Sequence, residues 1–259
     1  MAKVPNDYEL NFLKKCTKEE LEPLVRIILG SDQDKNIDKS GRISSELDIT
    51  PAFNKHFPDH TKYVDEIIEE IQRYGGNSIR NLMRGFGVSY HEELCDVAEK
   101  MKVNINKSRH TDVIEEQLMA KVLEDIWEKM AEEDRQKFID EVGVKFGMGK
   151  GGFAAGVAIA IFRAGGIKSY YLALTIVNSI AKLLLGHGLR LVENAMLVRV
   201  LSWFAGPLGW ILTGLWIGVD FAGPAYRVTV PACIYIAALR KMKTTEKDLT
   251  DAQKKEVGL

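Results

Sequence analysis

TDVIEEQLMAKVLEDIWEKM, residues 111–130, decides how the rest of the chain is read. Ile114, Leu118, Val122, Ile126 and Met130 recur every four residues, and Leu123 and Trp127 widen the stripe. A helix places such side chains on one face, whereas a strand needs alternation with a period of two. The stretch predicts a core-facing helix with an acidic outer face.

Toward the N-terminus the same pattern returns in shorter pieces. Asn6 or Asp7 caps a helix burying Leu10, Phe12 and Leu13, and Thr17 with Glu20 has capping-box spacing ahead of Leu21, Leu24, Val25 and Ile28. Residues 30–58 hold turn formers and the polar run SDQDKNIDKSGR, which predicts a loop. Thr61 caps a helix with Val64, Ile67, Ile68 and Ile71 on one face. Gly75 and Gly76 end it by supplying left-handed backbone. Tyr90, Leu94, Val97 and Met101 mark another helix, and Phe138, Ile139 and Val142 a further one. Strand alternation is scarce, so the predicted fold class is all-α.

Composition divides the chain. Residues 1–146 form a polar multi-helix N-terminal domain, residues 147–243 a glycine-rich apolar helical C-terminal domain, and residues 244–259 a polar tail. The 35 basic and 36 acidic side chains leave a net charge of -1, so no nucleic-acid partner is expected. Cys16, Cys95 and Cys233 show neither pairing nor metal spacing, and MAKVPNDYELNFLKK lacks the apolar run of a secretory signal. The expected location is the cytoplasm.

Few stretches suggest chemistry. GMGKGG carries G-x-G-x-x-G at Gly147, Gly149 and Gly152, but it follows helical sequence rather than a strand, so it reads as a hinge. His56 and His60 have the spacing of a helical metal pair, yet Pro58 intervenes and no third ligand is indicated. Glu69-Glu70 and Glu115-Glu116 read as solvated faces. No catalytic residue, metal or cofactor is predicted, and the reading leans away from an enzyme.

NDYELNFLKKCTKEELEPLVRIIL, YGGNSIRNLMRGFGVSYHEELCDVAEKMKV and GPAYRVTVPACIYIAALRKM resemble the bacterial YaaW family. The runs from Gly75 to Ile79 and from Ala225 to Thr229 carry the likeness most specifically. The second domain of that family is sometimes grouped by name with ubiquinol–cytochrome c chaperones, which implies an assembly-factor role. The resemblance transfers no catalytic residue. Within these runs Asn77, Arg84 and Arg227 either fix helical turns or serve as polar contacts to a ligand or partner.

The apolar half poses the functional question. Residues 200–219 are uncharged, but Gly206-Pro207 interrupts them and leaves about 12 residues of clean helix, too short to span a bilayer. Residues 169–181 and 228–239 are similarly short uncharged runs, with Pro231 in the first turn of the latter. Gly152/Gly156 and Gly214/Gly218 have the four-residue spacing that lets helices approach closely, and Trp210 and Trp216 suit either an interface or a core cap. These six residues are the predicted interaction set. Two readings follow: a non-enzymatic protein whose glycine-rich half contacts membrane or an apolar partner as a releasable hairpin, or a soluble chaperone-like factor holding hydrophobic clients. Self-association suits both.

Overall fold

The computed structural model describes residues 7–30, 47–75, 87–138, 155–187, 189, 206–207, 209 and 226–256. Among them every regular element is helical and no strand occurs. The fold is all-α. The α-helices are α1 Lys18–Leu29, α2 Pro51–His56, α3 Val64–Gly75, α4 Tyr90–Lys100, α5 Thr111–Lys129, α6 Glu132–Phe138, α7 Ala155–Ala164, α8 Gly166–Leu185, α9 Tyr226–Glu246 and α10 Asp251–Glu256. The chain divides into two compact units, Met1–Glu115 with Gly214–Cys233 and Glu116–Thr213 with Ile234–Leu259. The expected domain boundary at residue 147 lies outside the described residues.

In the first unit, local caps set the helix starts. Asp7 accepts from the Glu9 amide and opens a 3-10 helix, Tyr8–Lys15, which buries Leu10 and Leu13 and leaves Phe12 half-buried. Thr17 and Glu20 form the expected capping box, at 3.3 Å and 2.8 Å. The segment predicted to be a loop contains a 3-10 turn, Leu47–Ile49, and α2, where Thr50 accepts from the Phe53 amide and Pro51 takes the first helical position. Proline there loses no intrahelical bond, which the turn-former reading overlooked. Thr61 does not cap α3. Its amide and hydroxyl both donate to Asp59, forming a separate 3-10 turn, His60–Lys62.

Gly75 is the last residue of α3 and its φ is not positive, while Gly76, the other residue of the expected left-handed stop, lies outside the described residues. A Cβ on Gly75 would lie 2.7 Å from Val88 Cγ2 and 3.0 Å from Glu93 Cβ. A Cβ on Gly87 would lie 2.7 Å from the Gln72 carbonyl oxygen, beside the bond that Val88 N donates to it at 3.2 Å. Both glycines serve close approach of α3 and α4. The α5 stripe is buried as predicted at Ile114, Leu118, Val122, Leu123, Ile126 and Met130, with Trp127 half-buried.

In the second unit, α7 and α8 pack as a hairpin. Gly165 and Gly166 both have positive φ, 74° and 72°, which a side chain would resist, and they turn the chain between the helices. Ser169 donates to the Phe162 carbonyl at 2.8 Å across that turn. α8 is buried on every side from residue 169 to residue 181, and α9, which belongs to the first unit up to Cys233 and to the second from Ile234, likewise from residue 229 to residue 239. Such all-round burial of apolar helix is core behaviour. α9 begins at Tyr226, so Pro231 lies in its second turn and not its first. α9 runs on into the predicted tail, which ends in α10, capped by the reciprocal Thr250–Gln253 pair.

Candidate functional site

Two places in the described residues stand out: the outer face of α7 and a set of buried acids in the first unit. α7 buries Ala158, Ile161 and Phe162 and exposes Gly156, Ala160, Arg163 and Ala164. Gly156, Ala160 and Ala164 are four apart, hence one ridge. Among the described residues nothing lies within 4 Å of where a Gly156 Cβ would stand. The C-terminal end of α7 is fixed by Lys241, which reaches Glu116 at 3.1 Å and the Arg163 carbonyl at 3.4 Å, with its ammonium 5.3 Å from the Phe162 ring centre. At the far end of α8, Leu183 is exposed.

Of the predicted interaction set, only Gly156 is described, and it sits on this ridge. Gly152, Trp210, Gly214, Trp216 and Gly218 lie outside the described residues, as do Asn77 and Arg84 and the glycines of the proposed hinge. Arg227 is half-buried in the first turn of α9, next to Tyr226, whose ring carries the Lys100 ammonium at 5.0 Å.

Of the two acid pairs expected on solvated faces, Glu69 is exposed and Glu116 half-buried, while Glu70 and Glu115 are buried. Glu70 is buried and paired with Arg73 at 2.5 Å. Glu115 is buried and accepts from the Tyr90 hydroxyl at 2.8 Å. Glu93 is 1 % exposed, and neither carboxyl oxygen has a hydrogen-bond partner among the described residues. Burial pushes its carboxyl well above the usual range, and Asp7 and then Asp96 push it the same way. Cys233 is buried beside it, with a thiol held far up by burial and then by Glu93, Glu115 and Cys95. Asp7 ties three elements together, accepting from Gln72 Nε2 at 2.9 Å and Tyr90 N at 2.6 Å while capping Tyr8–Lys15.

Glu93 escaped the sequence reading although a signal was present. Tyr90, Glu93, Leu94 and Val97 stand at i, i+3, i+4 and i+7, so Glu93 lies on the apolar stripe. Glu115 follows Ile114 on the α5 stripe in the same way, and treating it as half of an exposed pair hid this.

His60 and His91 are held by hydrogen bonds within the fold. α2 ends at His56, so His56 and His60 do not share a helix. His60 is buried, with Nδ1 2.5 Å from the Tyr63 hydroxyl. Burial lowers its imidazole pKa and raises that of Tyr63 to about 12. His91 bridges Thr111 Oγ1 at 3.0 Å and the Lys107 carbonyl at 2.8 Å. Among the described residues no group of three or more His, Cys, Asp or Glu could hold a metal. Cys16, Cys95 and Cys233 are buried thiols.

The chain is 41% identical over 242 residues to a UPF0174 protein of Helicobacter pylori strain J99, with 93% of each chain covered. It is 32% identical over 249 residues to UPF0174 protein YaaW of Escherichia coli K12, covering 92% of this chain and 95% of that one. The chain belongs to the UPF0174 (YaaW) family. No family model and no solved structure matches it. Membership in UPF0174 bears out the resemblance read from the sequence. No helix among the described residues is long and apolar enough to cross a membrane. α8 has 20 residues, but Lys168 and Lys182 limit its uncharged run to 13, about 20 Å against a hydrocarbon core of about 30 Å.

Proposed function

We propose that this protein works by contact rather than by catalysis, presenting the ridge of α7 to an apolar helix of a protein partner. The α7 ridge carries the reading: Gly156, Ala160 and Ala164 are exposed in line, with open space above Gly156. Small residues at that spacing let a second helix backbone come close and gain dispersion contacts that larger side chains would block.

Two further observations favour a helical partner over a bilayer. The apolar runs of α8 and α9 are already covered on all sides. Arg163 stands among the exposed residues of α7, at a cost if that face entered lipid. An assembly factor that holds a hydrophobic client segment is one form this contact would take.

The test is photo-crosslinking from position 160 in the full chain, in cells, with position 121 on α5 as the control. Protein adducts formed at position 160 and absent at 121 are the expected result. Lipid adducts alone would move the contact to the bilayer, and equal labelling at both positions would remove the α7 ridge from the account.

A further inference from the structure

Glu93 occupies a place that works against an ionised carboxylate. Its stem is pressed against Gly75, whose missing Cβ would lie 3.0 Å from both Glu93 Cβ and Cγ. Its two oxygens are buried without a hydrogen-bond partner among the described residues. The ionisable groups around it among the described residues are acidic: Asp7 from the N-terminal segment, Asp96 from its own helix and the Cys233 thiol from α9, with Glu115 of α5 and Cys95 adjoining Cys233. α3 contributes Gln72, which is engaged with Asp7. A lone buried acid avoids the cost of burying charge by keeping its proton.

We propose that Glu93 is a proton-operated latch: protonated, it lets α3 and α4 close around the Asp7 clamp, and deprotonated, it opens that joint. Asp7 is the part that yields. It holds Gln72 of α3 and the first amide of α4 on one oxygen, so a second carboxylate close by works against the group that joins these elements. Opening loosens Tyr8–Lys15, the end of α3 and the start of α4 together. The latch does not depend on what the α7 ridge contacts.

The direction follows from proton linkage. In the closed joint Glu93 binds its proton more tightly than in the open one, so rising pH favours opening. Each pH unit above the ordinary carboxyl range multiplies the open population about tenfold, until the closed form also ionises.

Hydrogen exchange of the full chain at pH 5, 6 and 7, corrected for the intrinsic pH dependence of exchange, reads this directly. Protection in Tyr8–Lys15 and in the first turn of α4 should fall about tenfold per pH unit in wild type. Glu93→Gln should flatten that slope. Carboxyl carbon NMR of glutamate-labelled wild type follows the same proton without any mutation, and one glutamate should titrate well above the ordinary carboxyl range. The latch is overturned if every glutamate carboxyl titrates in the ordinary range, or if wild type and Glu93→Gln lose protection in parallel.

Discussion

Gly75 and Glu93 touch so closely that the smallest side chain at position 75 would collide with the stem of the acid, at 3.0 Å from both Cβ and Cγ. Val88 Cγ2 stands closer still, at 2.7 Å. Overpacking of this kind costs about 1–3 kcal/mol, against about 1 kcal/mol gained when alanine replaces a helical glycine. Gly75→Ala should therefore destabilise the first unit. Gly156→Ala meets open space near the start of α7 and should be neutral or stabilising by a few tenths of a kcal/mol. Chemical denaturation of the two variants separates these outcomes, and equal effects would remove the close-approach explanation.

Glu93 gives stability a particular pH dependence. Its carboxyl pKa is raised from an ordinary value of 4.5 in the fold, so above that value the folded state holds more protons than the unfolded state. Stability then falls as pH rises, by up to about 1.4 kcal/mol per pH unit, until the folded-state value is passed. Below the ordinary value the effect vanishes. Glu93→Gln should match wild type near pH 4.5 and exceed it at pH 7. Melting curves across this range check the prediction, and a variant weaker than wild type at both ends would contradict it.

The Tyr90 hydroxyl is a donor that buried Glu115 cannot replace from water. Tyr90→Phe keeps the ring and removes that bond, so a loss of about 1–3 kcal/mol is expected. Glu115→Gln in the same background should recover part of it, because an amide carries no charge to support. A double-mutant cycle measures the coupling, and independent effects would show that the two groups do not act as a pair.

The Thr17–Glu20 capping box sets the start of α1. Thr17→Ala should cost about 1 kcal/mol, and Thr17→Ser much less. Comparing the unfolding midpoints of the two variants is sufficient.

What the sequence made legible was the part governed by local periodicity. The α5 stripe and the capping box follow from spacing within one helix, whereas the short apolar runs of α8 and α9 left core packing and membrane contact open. Contacts between elements were harder to foresee. Gly75 reads as a helix stop because glycine commonly is one, yet its role is decided by Val88 and Glu93, 13 and 18 positions away. Glu115 reads as a surface acid because charge usually means solvent, and Glu93 draws no attention for the same reason, although both fall on apolar stripes. The α7 ridge was half visible: Gly156 was chosen for its spacing from Gly152, while Ala160 and Ala164, which share its exposed face, complete the line toward the C-terminus.

The contact reading is tested most directly by the size of the complex that the full chain forms in cells producing it at native level. Native electrophoresis of a mild-detergent extract should place wild type in an assembly larger than its own 29.1 kDa, and Ala160→Glu at the size of the single chain with unchanged melting temperature. If wild type and Ala160→Glu migrate together, the α7 ridge is not the contact surface.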